Sequence, residues 1–446
     1  MIPIILCGGS GTRLWPLLKK KSFYNFFGNK SLLDLSLERL KSFGPITLVT
    51  TKQFKENLDI ALQSKQLKIE TVYEPEAKNT AISIALVCYL FSKRKDLKDK
   101  VLGFFPSDHF IEKEQEFKNI ITQGIEISKS EKKIITFGIP PSSKLLRSDY
   151  GYIKVKKTNS TFFKVLAFIE KPDERQALGL LKKGYLWNSG IFISPLDLLI
   201  QYFEKYLSQL WEKILSLENH SIDFVYKNLD SISFDKGIME NVKQALCLPF
   251  DVAWSDLGSW ESLADWSQKN PGVLNNQAFK FETDSKNNFV FSSENKIAGL
   301  IGIENTLVIN EKEGLLISKK GHSKNIKSMY KKLSNLKPSF VKKPWGTYSV
   351  LLEKDFFKYK ELRVHPGQKL SYQSHKNRKE HWIVIKGQAE VYINGLRKIL
   401  NENEHVFIDQ GIKHQLKNPN SQTLLILEIQ MGHCLEEDII RYKDKL

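Results

Sequence analysis

The chain has 446 residues, 41% hydrophobic and 26% charged, which allows two or three domains, each with a sizeable core. No apolar run reaches the ~18–20 residues that cross a bilayer, and four cysteines without CxxC spacing exclude a disulfide framework or zinc knuckle, favouring a reducing cytoplasm. The formal charge of +17 comes from lysines spread along the whole chain, so a solvated basic surface is expected and nucleic-acid or membrane partners are not.

In chain order, the N-terminus MIPIILCGG has no basic segment before its apolar stretch and reads as a buried first strand running into a glycine turn, not as a signal peptide. Further strand-like runs follow at 46–50, 69–73, 101–105 and 133–139, separated by helical patterns at Leu33, Leu37 and Leu40 and near 54–64, 80–93 and 115–127. This alternation predicts an α/β, Rossmann-like domain over 1–268, with a mostly parallel sheet covered on both faces. Ligands of such sheets bind beyond the carboxyl ends of the strands. From 269 to 325, short apolar runs with turn residues between them (NNFVFSS, KIAGLIG, NTLVIN, GLLIS) predict a small solenoid-like β domain. A basic stretch with Pro338 near its end and Pro344 just after it, 326–343, reads as a short helix and a linker. Beyond it, 344–446 carries closely spaced strand patterns suited to an antiparallel sandwich or barrel.

The first strand ends in CGGSGTRLWPL (7–17). Gly8, Gly9 and Gly11 allow a tight turn and close backbone approach to phosphate, and Arg13 adds a fork of donors. The spacing is neither a Walker nor a dinucleotide-binding loop, and alone it is as compatible with a structural turn. The longer string, however, resembles the signature of sugar-nucleotide pyrophosphorylases, in particular the mannose-1-phosphate guanylyltransferase branch. Tyr73–Ala81 (YEPEAKNTA), Pro106–His109 (PSDH), Ser148–Ile153 (SDYGYI), Phe168–Pro172 (FIEKP), Leu186–Phe192 (LWNSGIF), Ser233–Glu240 (SFDKGIME) and Trp254–Trp260 (WSDLGSW) resemble the family's other segments, in order. The resemblance implies GMP transfer from GTP to mannose-1-phosphate. It assigns Asp108 and Asp256 to Mg²⁺, Lys171 to the sugar phosphate, and Gly151, Glu170 and Asn188 to the sugar, with the roles of Asp235 and Glu240 left open. One departure stands out. The family's Pro-Lys-Gln-Phe stretch is replaced by PLLKKKSFYNFF (16–27), so its phosphate-binding lysine corresponds to Lys21 in a shortened loop, or to Tyr24 without a gap.

Six of the nine histidines follow residue 364, which makes the last domain the place for a second metal. Gln373 and His375 share a strand face by the period of two, Glu380 returns after a turn, and His414 completes a mixed N/O set suited to Zn²⁺, Mn²⁺, Co²⁺ or Fe²⁺. The strings KPWGTY, HPGQKLSYQSHKNRKEHWIVIKGQAEVY, GIKHQLKNP and LEIQMGHCLEEDIIRYKD resemble the type II phosphomannose isomerase cupin. That likeness implies interconversion of mannose-6-phosphate and fructose-6-phosphate. Arg378 and Arg441 are its candidate substrate contacts, Arg441 being equally readable as a surface residue, and His381 or Lys369 its proton carrier. Two other readings accompany the bifunctional one: a single retained activity, with the transferase weakened by its altered loop, or a non-catalytic nucleotide-sugar-binding regulator.

Overall fold

The computed structural model describes the chain except residues 9–10, 18–20, 64, 66, 142–149, 276–277, 293–296, 312–313, 334–339, 433–437 and 443–446. It forms two compact units, Met1–Lys327 and Ser328–Leu446.

The first unit is organised by a nine-stranded sheet. The strand Ile2–Leu6 lies between Ile46–Thr51 and Val101–Pro106, all three parallel, with Ile69–Glu74 added outside. Their apolar runs are buried because helices cover both faces. Thr80–Ser92 is buried almost all round, from Ala81 through Phe91, whereas Glu114–Glu131 buries one stripe through Phe117, Ile121 and Gly124. The helix Leu32–Leu40 starts at a capping box, in which Ser31 Oγ accepts from the Asp34 amide while the Asp34 carboxylate accepts from that of Ser31.

The expectation of a mostly parallel sheet holds for that half only. The long strand Leu186–Pro195 runs antiparallel between Val101–Pro106 and Ile135–Ile139, and Tyr152–Lys156 and Phe163–Ile169 add further antiparallel pairs. Periodicity cannot separate the two cases, because a strand buried on both faces shows a continuous apolar run in either direction. The inserted strand brings Asn188 to the same end of the sheet as the loop after Pro106.

Two parallel rungs follow, Lys280–Thr283 paired with Ala298–Ile301 and Phe289–Ser292 with Thr306–Glu311, and Gly314–Lys319 adds an antiparallel strand to the second. Partners such as Phe289 and Leu307 make a short coil. Side-chain amides stack along it, Asn287 donating to Asn305 at 2.6 Å and Asn310 to Ser292 at 3.2 Å. Beneath these contacts Phe291, Leu307 and Ile309 are fully buried, and Phe291 packs on Trp260 at 5.0 Å.

The second unit packs a six-stranded and a five-stranded antiparallel sheet around Leu362, Val364, Trp382, Val384, Leu416 and Ile426. One boundary differs from expectation. Residues 340–343, read as linker, form the strand Phe340–Lys343 paired with Gly346–Lys354. Pro344 stands in the turn between these strands, so it marks a hairpin and not a free connector.

Candidate functional sites

At the carboxyl end of the first sheet, Lys21 is 7% exposed on the helical turn Lys21–Phe23. Its ammonium donates to Asp108 Oδ2 at 2.9 Å and to the carbonyl oxygen of Asp256. Tyr150 donates its hydroxyl to Asp256 Oδ1 at 2.7 Å, and the Gly258 amide donates to the same oxygen at 3.1 Å. The two aspartates, far apart in sequence, are thus joined through one lysine. Desolvation would raise the Asp108 carboxyl, but the charge and hydrogen bond of the Lys21 ammonium hold it below its usual range. Burial pushes the His109 imidazole down to about 4, which keeps it neutral, with Nδ1 accepting from the Trp254 indole at 3.1 Å. Tyr24 packs its ring on Phe26 and Phe291, at 4.7 and 6.2 Å, among the rungs of the coil. Of the two registers for the altered loop, only the one through Lys21 brings a cation to the aspartates.

The glycine turn divides. Gly11 adopts φ 65°, a left-handed conformation in which a side chain is strained. Gly8 does not, and a Cβ built there would meet nothing within 4 Å, so the fold itself does not require glycine at that position. Gly9 lies outside the described residues. Arg13 is half-buried on the turn Thr12–Leu14.

A second cluster surrounds Gly151. A Cβ there would lie 2.9 Å from Glu170 Oε2 and 3.2 Å from Asn188 Cβ. The Asn188 amide donates to the Gly151 carbonyl at 2.8 Å, and its side chain donates to Asp235 Oδ1 at 2.8 Å. Asp235 opens the π-helical turn Asp235–Met239, a geometry that collects at functional sites. Desolvation, then the neighbouring Glu170 charge, push its carboxyl up to about 7. Glu240 accepts from the Glu170 amide at 2.9 Å. Lys171 sits at φ 45° with its ammonium against Glu170, exposed and within reach of an incoming anion.

In the second unit, His375, Glu380 and His414 place their ligand atoms within 4.8 Å of one another. The registers explain the convergence: Gln373 lies opposite His414, and Glu380 opposite Gln430. Gln373 Nε2 lies 3.4 Å from His375 Nε2. The His414 Nδ1–H faces the Ile412 carbonyl at 2.9 Å, which leaves Nε2 as a lone-pair donor. Glu380 Oε2 and His414 Nε2 are buried without hydrogen-bond partners. Burial would raise the Glu380 carboxyl, but His375, His414 and Arg378 hold it down to about 2. An orphaned imidazole nitrogen and an orphaned carboxylate oxygen, with a second imidazole beside them, fit a divalent transition ion.

Arg378 is buried, with Nε donating to Glu380 Oε1 at 3.0 Å and a terminal nitrogen 3.3 Å from His375 Nε2, so it braces the cluster. Arg441 is exposed at the end of the strand Ile439–Arg441, its backbone opposite Gln373. Lys369 stands at an isolated bridge to Lys417. His381 is on the wrong face to carry a proton to this cluster. In the strand Arg378–Lys386 the buried positions are Arg378, Glu380, Trp382 and Val384, and His381 instead points outward, 2.9 Å from His405.

Comparison with known proteins gives a match for each unit. Residues 2–271 match the nucleotidyl transferase family and residues 332–444 the mannose-6-phosphate isomerase C-terminal family. The chain is 31% identical to mannose-1-phosphate guanylyltransferase 2 of Escherichia coli O157:H7, covering all of this chain and 98% of that one. The chain belongs to the mannose-1-phosphate guanylyltransferase family. Another relative, the xanthan biosynthesis protein XanB of Xanthomonas campestris pv. campestris, is 32% identical with the same coverage. A crystal structure described as a mannose-1-phosphate geranyltransferase of Thermus thermophilus shares the fold, with TM-score 0.66 and 23% identity over 75% of this chain and 99% of that one. The C-terminal cupin of this guanylyltransferase family member implies a metal cofactor. Among the described residues no helix is long and apolar enough to cross a membrane.

Sequence reasoning did not single out Tyr150, His109, Trp254 or Glu428. Tyr150 stood inside a quoted segment, but its bond to Asp256 spans 106 residues and has no local signal.

Proposed function

We propose that this chain transfers GMP from GTP to mannose-1-phosphate, releasing pyrophosphate, and that its C-terminal unit interconverts mannose-6-phosphate and fructose-6-phosphate. The observation that carries the first half is the ammonium of Lys21 bound between Asp108 and Asp256. Nucleotidyl transfer needs neutralised phosphate charge and in-line placement more than it needs acid–base chemistry. Asp108 and Asp256 offer hard oxygens beside an existing cation, a donor set that fits Mg²⁺. Bound there, Mg²⁺ would supply charge neutralisation on the triphosphate.

The chain's own residues do the rest. Arg13, Lys21 and the backbone at Gly8 and Gly11 bind phosphate oxygens. Lys171 meets the phosphate of the sugar. Glu170 and Asn188 hold sugar hydroxyls over Gly151, whose missing side chain leaves room for the ring. In the cupin, Gln373, His375, Glu380 and His414 would hold Zn²⁺, Mn²⁺, Co²⁺ or Fe²⁺, which polarises the sugar carbonyl when bound, and Arg441 is offered to the sugar phosphate. Buried free thiols at Cys88 and Cys247 support a reducing, cytoplasmic setting. The product feeds polysaccharide assembly, as the names of the xanthan and alginate relatives support.

The test is to incubate the full chain with mannose-1-phosphate, Mg²⁺ and each of GTP, UTP and dTTP, and to identify the product by mass. GDP-mannose from GTP in clear excess over the other products is expected. A folded chain that releases no pyrophosphate from any nucleotide contradicts the transferase.

A further inference from the structure

The isomerase reading leaves its proton carrier unassigned, since His381 faces outward. The inward positions on the strands beside the metal cluster show another carboxylate. Along Leu424–Gly432, burial alternates through Leu424, Ile426, Glu428 and Gln430. Glu428 is 5% exposed, directly opposite Lys360 on one neighbouring strand and Trp382 on the other. Its Oε1 accepts from the Trp382 indole at 3.2 Å, and its Oε2 accepts from Gln430 Nε2 at 3.0 Å. The same Gln430 nitrogen donates to Glu380 Oε1 at 3.0 Å, so one side chain separates Glu428 from the ligand set. Lys360 Nζ lies 3.6 Å from Glu428 Oε2. Gln430 Oε1 is buried with no partner, a hydrogen-bond acceptor turned into this interior with nothing yet bound to it.

A second buried acid beside a metal-binding cluster is costly to a fold that needs only packing. Resting on the isomerase reading, we propose that Glu428 is the catalytic acid–base of that reaction, carrying the proton between carbons 1 and 2 of the sugar phosphate, with Lys360 as its positioning counter-charge. In the aldose-to-ketose direction the Glu428 carboxylate takes the proton from carbon 2. The carbon–hydrogen bond breaks, its electrons form the carbon 1–carbon 2 double bond, and oxygen 1 gains a proton from solvent. Glu428 then returns its proton to carbon 1 while oxygen 2 loses one to solvent and becomes the ketone. Composition and charge are unchanged overall. Burial raises the Glu428 carboxyl above its ordinary range, the direction that suits a group which must both take and return a proton.

Glu428→Gln in the full chain tests this, with Trp382→Phe as its companion and GMP transfer as the internal control of folding. Both variants are assayed with saturating metal, and their metal content is measured. Glu428→Gln should lower isomerase kcat by about 100-fold or more with KM within about threefold. It should also abolish deuterium incorporation from D₂O, while metal content and GMP transfer stay at wild-type levels. Trp382→Phe, which removes only the indole donor, should retain most of the activity. Wild-type-like turnover in Glu428→Gln, loss of metal from it, or an equal loss in Trp382→Phe would overturn the assignment. If the wild-type chain isomerises with none of Zn²⁺, Mn²⁺, Co²⁺ or Fe²⁺, the isomerase reading itself fails and the assignment falls with it.

Discussion

The two sites solve the problem of clustered carboxylates in opposite ways. In the nucleotidyltransferase unit the acids carry their own counter-ion: Lys21 spans Asp108 and Asp256, and Tyr150 and Gly258 occupy the second aspartate. In the cupin, Glu380 is braced by Arg378 and Gln430, yet its Oε2 and the facing His414 Nε2 are left without partners. On the proposed function, Mg²⁺ would visit the first site with the nucleotide, beside an ammonium already in place, and a transition ion would reside in the second, on lone pairs that no described protein group fills. Buried polar groups in native proteins are satisfied. Glu380 Oε2 and His414 Nε2 are buried without partners, whereas Asp108 and Asp256 stand partly exposed to the solvent from which a nucleotide arrives.

The sharpest way to break this comparison is at Glu380. Glu380→Gln removes the charge on which both imidazoles converge, and isomerase activity should fall by roughly 1,000-fold or more. GMP transfer should be unchanged, and metal content should drop in the same samples. Lys21→Ala probes the opposite site. Loss of one charge-stabilising group should lower kcat for GMP transfer by roughly 100- to 1,000-fold, leaving isomerisation intact; a loss under tenfold would return the phosphate role to another residue. Gly151→Ala is smaller. A methyl group 2.9 Å from Glu170 Oε2 forces that side chain aside, and KM for mannose-1-phosphate should rise about tenfold with little change for GTP.

The smallest effect is on stability. The Asp235 carboxyl is raised from 3.8 to about 7, so the folded state holds its proton more tightly than the unfolded state. Stability contributed by the protonated form is full below pH 4 and is lost as pH rises towards 7, after which the deficit is constant. Asp235→Asn, which keeps an acceptor for Asn188, should therefore raise Tm by a few degrees at pH 8 and by little at pH 4. Equal shifts at both pH values would deny the raised carboxyl.

Most of the fold was readable because its parts are local. The strand at 46–51, the helix from Thr80 and the capped helix at Leu32–Leu40 each carry their own apolar period or cap. The antiparallel course of Leu186–Pro195 was not readable, since direction leaves no mark on a strand buried on both faces. The same division holds for the sites. Gln373, His375, Glu380 and His414 are legible from strand period and residue type. The placement of His381 was legible too: adjacent residues on a strand face opposite sides, so a buried Glu380 already turns His381 away. Glu428 carried no signal, because an acid alternating with isoleucines reads as an exposed position until the partner strand is known. Lys21 stood as one of two registers, and its meeting with Asp108, 87 residues away, leaves no mark on the local sequence.

The central claim is the contrast between a visiting and a resident metal, and metal partition tests it most directly. The full chain would be stripped with chelator, then assayed for both reactions before and after adding Mg²⁺ alone, and again after adding Zn²⁺, Mn²⁺, Co²⁺ or Fe²⁺ singly. GMP transfer should return fully with Mg²⁺, while isomerisation should stay absent until one of the transition ions is supplied. Restoration of both reactions by Mg²⁺ alone, or isomerisation undiminished after stripping, would contradict the account.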